Sequence, residues 1–412
     1  MSKKQLVRLA VHGGPKAVTN VAPRQPKHDP SELKAVEKVL SRGKITFARG
    51  PEVMELRKRF QKLYGSKYCV TTSSGTSSLH TAIGALGIGR GDEVITSPIT
   101  DMGTIIAIMA QNAVPVFADV DPDSLNITPE TIAKKISRRT RCILVVHLYG
   151  NPVDMPAVMR LAAKRKIFVV EDLAQSYMCE LNGKLCGTYG HFGCFSLNDS
   201  KHIGAGDGGM LITNNARYAD TADLFADKCY DRVDKGRLPF FAPYNYRINL
   251  LAAAIAIEQL KKVKRITTRR NRFGDRISAE LEKMPGVRPP KIHSRAKCTY
   301  WYYVFHVIED DLGASIDDFR KAMAAEGVGV SRHSETVLDW PLFSEMESNS
   351  HACAWDCPHY DGKVDYTLTS YPGVMQAKKQ AMRMSISEDM SAAEVGQIIK
   401  AFKKVTSYFT EK

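Results

Sequence analysis

No apolar run in this chain of 412 residues approaches the roughly 20 residues that a helix needs to cross a bilayer, so no membrane span is expected. The amino-terminal MSKKQLVRLAVHGG is basic, but Arg8 and His12 break its short apolar stretch, which argues against a secretory signal. Internal repeats and low-complexity segments are also missing, which excludes solenoid and disordered classes. Cysteine is not arranged as a disulfide framework: the nine residues are odd in number and scattered through a long chain, so reduced, mostly buried thiols are expected. His351, Cys353, Cys357 and His359 crowd together, but no second cysteine pair follows at zinc-site spacing, so a plain loop and no metal are expected. These absences together predict a cytoplasmic protein.

What remains is globular in character. A hydrophobic content of 44% with 25% charged residues in 412 is enough for two domains with large cores. The formal charge of +14 at pH 7 raises the question of nucleic acid. The basic residues are spread out, however, and the densest groups, Lys261 to Arg272 and the trio Lys400, Lys403 and Lys404, read as solvated helix faces. A positive field around a pocket for phosphorylated or nucleotide-linked substrates accounts for the charge equally well. Neither nucleic acid nor membrane is expected as a partner.

From Pro51 onward, short apolar runs alternate with helical patterns: KYCVTTSS, a helix from Leu79 to Leu86, DEVITSP, a helix to Ala113, VPVFADVD, RCILVVHLYG, a helix from Met155 to Arg165, and KIFVVEDLA. Strands apolar on both faces between helices predict an α/β fold with a mostly parallel sheet covered on each side. From Asn245 a long helix with a basic continuation through Arg272 is expected. The later TYWYYVFHVI, IDDFRKAMAAEG, VGVSRHS and SAAEVGQIIKAFKKV suit a smaller α+β unit, which places a large domain at 1–265 and a small one at 266–412.

Three segments carry candidate chemistry. TTSSGTSSLHTAIGAL sets a strand, a turn at Gly75 and a helix in succession, which leaves the first helical N–H groups free for a phosphate, with Ser73, Ser74, Thr76 and Ser77 supplying hydroxyls. Ordinary helix capping explains the same residues. VVEDLAQS leaves Asp172 and Gln175 at the carboxyl end of a strand, where ligands of open α/β sheets collect. That carboxylate can bind metal, orient a base, hold a pyridine nitrogen protonated, or simply cap a helix. In GCFSLNDSKHIGAGDGGMLIT, Lys201 follows a strand; lysine forms imines with aldehydes once its amine is freed of its proton, though a lysine before glycines is also a common surface charge. Gly204, Gly206 and Gly209 have dinucleotide-loop spacing, but MLIT reads as a strand where that fingerprint needs a helix, so no NAD site is expected.

The ordered series GGPKAV, SSGTSSL, GDEVI, VFADVD, HLYGNPVDM, EDLAQS, GCFSLNDSK, GDGGM and YNYRINLLAAAIAIEQL resembles the DegT/StrS-type sugar aminotransferases, of the fold-type I enzymes that use pyridoxal phosphate (PLP). The resemblance covers nearly the whole chain, from about Gly13 onward. It implies that Lys201 forms the Schiff base with PLP, that Asp172 pairs with the pyridine nitrogen, and that Gln175 contacts the ring region. It implies phosphate contacts from Gly75, Thr76, Ser77 and Ser196, and from Asn245 of a second subunit, hence a homodimer with shared sites. Relatives that dehydrate sugars carry histidine at the lysine position, so Lys201 falls on the aminotransferase side. Where the family stacks an aromatic residue on the ring, this chain reads SPITDMGTI; Met102 is the expected stacking partner, with Asp101 facing a polar substrate as the alternative. Asp207 replaces the usual glutamate of the glycine loop, and Ser385 and Ser387 stand where many relatives read Leu-Pro.

The implied reaction moves an amino group from glutamate or glutamine to a keto sugar, a nucleotide-linked keto sugar or a keto-cyclitol; GGPKAV and CPHYDGKVDY resemble the cyclitol and free-sugar members. A PLP-dependent dehydratase or lyase on the same fold and a non-catalytic regulatory relative are the alternatives. His147, Tyr149, Arg247, His306 and His333 are further pocket candidates, each equally readable as structural.

Overall fold

A computed structural model describes residues 8–19, 21, 24–232, 241–346 and 354–411. The large sheet begins with β1 (Tyr68–Thr72), β2 (Glu93–Thr96), β3 (Val114–Phe117), β4 (Thr140–Val146) and β5 (Phe168–Asp172). A short hairpin, β6 (Glu180–Leu181) and β7 (Lys184–Leu185), precedes β8 (Phe192–Ser196) and β9 (Gly209–Thr213). The sheet order is β1-β9-β8-β5-β4-β2-β3. Neighbours from β8 to β3 pair in parallel, while β9 runs antiparallel to both β8 and β1.

Side chains alternate across this sheet with the period of two that a strand imposes. Met210 and Ile212 of β9 enter one core and Leu211 the opposite one; Phe195 of β8 faces the first and Cys194 the second. Each face is covered by helices because each is apolar. The helices of this part are α1 (Pro30–Leu40), α2 (Pro51–Tyr64), α3 (Gly75–Ala85), α4 (Met102–Met109), α5 (Pro129–Ala133), α6 (Met155–Arg165), α7 (Ala216–Ala226) and α8 (Leu250–Leu281). Buried residues of α2 and α8 fill one side, and those of α3, α4 and α6 fill the other. Helix α3 begins at Gly75, four residues before the first apolar position read from the sequence, because Ser74 caps it. Helix α8 continues past Arg272 because Phe273, Ile277 and Leu281 extend its apolar stripe into another core.

That other core surrounds a second, antiparallel sheet. Its strands are β10 (Val287–Arg288), β12 (Tyr302–Val307), β13 (Val330–Arg332) and β14 (Ala381–Ser385), in the order β10-β12-β14-β13; β11 (Ala296–Lys297) pairs instead with β6. Phe305, Phe319 of the helix Ile316–Ala325 and Phe402 of the helix Ala392–Thr410 pack at its centre. The amino-terminal Leu9, Ala17 and Val18 join this core, fixed by Glu326, which accepts the N–H groups of Ala10 at 2.7 Å and Ala17 at 2.9 Å. Conversely, Phe343, Tyr366 and Tyr371 lie in the core under β2 and β3.

Among the described residues every cysteine is a free thiol, and no helix is long and apolar enough to cross a membrane. His351 and Cys353 of the cysteine–histidine cluster lie outside the described residues.

Candidate active site

The strands β1, β4, β5 and β8 point the same way, so their carboxyl ends share one edge of the sheet, where an open α/β sheet collects ligands. At this edge β1 turns into α3. Ser74 Oγ accepts the Ser77 N–H at 3.0 Å, and Ser77 Oγ accepts the Ser74 N–H at 2.8 Å. This reciprocal cap engages the Ser77 hydroxyl and leaves the Gly75 and Thr76 amides without intrahelical partners. The start of α3 therefore presents free N–H groups and the positive end of its dipole, a combination that holds an anion. Gly75 is needed for close approach rather than flexibility: a Cβ there would lie 2.6 Å from Ser196 Cβ at the end of β8.

A cavity of about 280 Å³ runs from this turn to Thr100, Asp101, Asp172, Gln175, Ser196, Asp207 and Lys201. Asp172 ends β5 and is 6% exposed. Its Oδ1 accepts the Ala174 N–H at 2.9 Å and its Oδ2 accepts the Thr104 hydroxyl at 2.9 Å. Burial pushes this carboxyl above its ordinary pKa, against the pull of those two donors and of the Lys201 cation. Burial likewise lowers Lys201, while Asp172 and Asp101 hold it up. The Lys201 amine lies 4.3 Å from the ring centre of Trp301, whose indole N–H donates to the Ser200 carbonyl at 2.6 Å. Lys27 also donates to the Lys201 carbonyl, at 2.5 Å. The lysine backbone is thus pinned from two sides while its amine stays in the cavity.

Below the cavity, Glu171 accepts the N–H groups of Gly187 (2.7 Å), Tyr189 (2.8 Å) and Gly190 (2.7 Å). His147 Nδ1 accepts the Val153 N–H at 3.1 Å, so the neutral ring carries its proton on Nε2 and donates to Glu171 at 3.1 Å. Glu171, His147 and Cys186 come within metal-binding reach of one another, but the carboxylate already has these four donors, which makes it a brace holding β5 beside the cavity. Tyr149 has a φ of 54°, uncommon for a bulky side chain, and its N–H donates to Gln175 Oε1 at 3.2 Å.

The structure brings together Gly75, Thr76, Asp172, Gln175, Ser196 and Lys201 at one cavity. Ser77 is buried in the cap, and Met102 begins α4 with its side chain against the large core. Asp101, as N-cap of α4 with its carboxylate accepting the Gly103 N–H at 2.8 Å, takes the cavity wall. Asn245 is exposed and lies outside the cavity of its own chain. Of the wider candidates, His306 is buried in the small sheet, its Nε2–H donating to the Asp123 carbonyl at 2.9 Å, and Arg247 pairs with Asp227 at 2.6 Å beside a separate cavity of about 300 Å³ lined by ion pairs. Tyr149 and His333 meet through their side chains at 3.3 Å. Thr104 lies in the SPITDMGTI segment read for the ring-stacking residue but carries no signal of its own there, and Trp301 arrives from the residue before β12 of the small sheet.

Residues 26–403 match the DegT/DnrJ/EryC1/StrS aminotransferase family. The chain belongs to this family. Its enzymes are PLP-dependent aminotransferases. Among relatives of the DegT/StrS family, the spore coat polysaccharide biosynthesis protein SpsC of Bacillus subtilis is 28% identical over 384 residues, 91% of this chain and 94% of that protein. The aminotransferase of Psychrobacter cryohalolentis superposes with a TM-score of 0.81 at 25% identity, covering 94% of this chain and 99% of its own. The aminotransferase TlmJ of Streptoalloteichus hindustanus gives 0.76 at 26% identity, with 92% and 97% covered. The fold is that of the PLP fold-type I aminotransferases.

Proposed function

We propose that this chain transfers the amino group of glutamate or glutamine to a keto sugar, a nucleotide-linked keto sugar or a keto-cyclitol, with PLP held at the cavity described above. The observation that carries the reading is the meeting of a half-buried lysine, a buried carboxylate and a free helix N-terminus around one cavity. The residues fit the cofactor: Gly75 leaves open a cradle that a Cβ would close, and the donors there suit a phosphate.

When bound, PLP supplies an electron sink that acidifies the donor C–H bond. Lys201 is the residue that would hold the cofactor covalently, and its amine, once released, would take the proton from the donor α-carbon, a task suited to an amine whose burial favours the neutral form. Asp172, whose charged form the Thr104 hydroxyl and the Ala174 N–H favour against its burial, would hold the ring nitrogen protonated. Gly75, Thr76 and Ser196 would bind the phosphate, and Gln175 would contact the ring region. Asn245, exposed and outside its own cavity, reaches the phosphate site of a second copy in a homodimer. Asp101, not Met102, is the residue we place beside the ring, on the strength of its position in the cavity wall. A lysine at position 201 with its carboxylate partner favours transamination over dehydration, and a complete set of this kind favours catalysis over a regulatory role. The protein acts in the cytoplasm in this reading.

The test is direct transfer. Protein loaded with PLP is incubated with glutamate or glutamine labelled with heavy nitrogen and with a panel of keto sugars, nucleotide-linked keto sugars and scyllo-inosose. Heavy nitrogen appearing in an amino sugar or aminocyclitol, read by mass spectrometry, is the expected result. Loss of water from a sugar without nitrogen gain would establish the dehydratase instead.

A further inference from the structure

Two buried thiols that the aminotransferase reading leaves unused face each other across the hairpin β6–β7. Asn182 and Gly183 form its two-residue turn with φ of 53° and 74°, the pair of left-handed residues that such a turn needs. The turn fixes the register: Leu181 pairs with Lys184 and Glu180 with Leu185. One step further along, Cys179 stands opposite Cys186, and the Cys186 N–H donates to the Cys179 carbonyl at 3.0 Å. Hydrogen-bonded partners of this kind have Cα atoms about 5.5 Å apart, and a disulfide spans about 4.4–6.8 Å. Both side chains are 0% exposed and lie in the core under α2 and α8. The Cys179 thiol and burial together push the Cys186 thiol well above its ordinary pKa.

Cys179 has a second neighbour by register. Ala296 pairs with Leu181 and Lys297 with Glu180, which sets Cys298 beside Cys179 on the other side of β6. Cys298, however, packs in the core of the second sheet, whereas Cys179 and Cys186 share one core. The closed hairpin shields both thiols, so their reaction requires it to open. Strand β7 is two residues long, lies at the edge of its sheet and pairs only with β6, and Asn182, Gly183 and Lys184 at the tip are exposed. Opening here is a local event that leaves the rest of the fold in place.

We propose that Cys179 and Cys186 form a reversible intramolecular disulfide, with a small-molecule disulfide as the oxidant. As the edge opens, the Cys186 thiolate attacks one sulfur of the oxidant, breaks its S–S bond and expels the first small thiolate. Cys179 then attacks the Cys186 sulfur, closes the protein disulfide and expels the second. The two cysteines give up two electrons and two protons, and the two small thiols carry both away. The bond ties the hairpin one residue before Gly187, whose N–H donates to Glu171 at 2.7 Å beside Asp172. It does not depend on the aminotransferase reading.

Folded protein loaded with PLP is incubated with hydroxyethyl disulfide, which has no amine to compete for the cofactor, and is then denatured in iodoacetamide. Of the nine cysteines, seven should be alkylated, two having been lost to the bond. Trypsin, cutting after Lys184, should release residues 167–184 joined to 185–201 through Cys179 and Cys186. Dithiothreitol should restore all nine thiols. Cys298→Ala should still form the bond, and Cys186→Ala should leave Cys179 reduced. The mapping of the wild type stands whether or not a variant folds. Nine alkylated cysteines after oxidation, hydroxyethyl adducts that persist in place of an internal bond, or Cys179 joined to Cys298 would each overturn the proposal.

Discussion

Replacing Gly75 with alanine sets two physical effects against each other. Alanine is the better helix former by about 1 kcal/mol, and Gly75 does not occupy the left-handed region, so helix propensity alone predicts a more stable protein. The new Cβ, however, would lie 2.6 Å from Ser196 Cβ and 3.1 Å from Ser196 Oγ. Unstrained carbon contacts begin near about 3.5 Å, so the overlap is about 0.9 Å. Overpacking of this kind costs about 1–3 kcal/mol. The strain is relieved by moving the start of α3 away from β8, which displaces the amides that receive the phosphate. We expect a melting temperature close to wild type, because propensity offsets part of the strain, and PLP affinity reduced by about 5- to 150-fold. The assay is titration of the apoprotein with PLP, followed by absorbance. Gly329→Ala is the control, since a Cβ there meets nothing within 4 Å. PLP affinity of Gly75→Ala within twofold of both wild type and this control would refute the cradle.

Two further substitutions address the ionisable pair. Thr104→Val removes a hydroxyl that donates to Asp172 Oδ2 and favours its charged form, so the Asp172 pKa rises further and the acid limb of the kcat/KM profile moves to higher pH. Hydrogen bonds to charged groups contribute about 1.5–3 kcal/mol, which corresponds to a loss of about tenfold to a hundredfold at the optimum; an unmoved limb would exclude this role. Asp101→Asn removes a negative charge that raises the Lys201 pKa, so the visible titration of the lysine–cofactor bond should shift to lower pH, by less in high salt because Asp101 is exposed. A shift upward, or none at low salt, would place Asp101 away from Lys201.

Much of this architecture could be read before the structure because local signals and global fold agree. Alternating apolar runs marked the parallel strands, and Ser-Gly-Thr after β1 marked the turn into α3. The choice between Asp101 and Met102 was harder, since hydrophobic pattern does not resolve a single residue. Capping does: an Asp two residues before a glycine N–H it can accept becomes the N-cap, which puts Asp101 at the cavity and turns Met102 toward the core. Core membership was not legible for the chain ends. Leu9, Ala17 and Val18 reach the second core through Glu326, a contact across more than 300 residues that no local pattern encodes. The contact of Tyr149 with Trp301 was hidden for the same reason, because its members come from two sheets that meet only in the folded chain. Tyr149 and His333 were visible as residue types, but their contact was not.

The central claim is that Lys201 carries the chemistry, and the visible absorption spectrum of the protein reconstituted with PLP tests it most directly. In the wild type, a band of the lysine–cofactor imine should form and bleach toward a near-ultraviolet pyridoxamine-like band when glutamate or glutamine is added. Lys201→Ala should not form that band with PLP alone. An imine band of wild-type intensity in Lys201→Ala, or no such band in the wild type, would contradict the account.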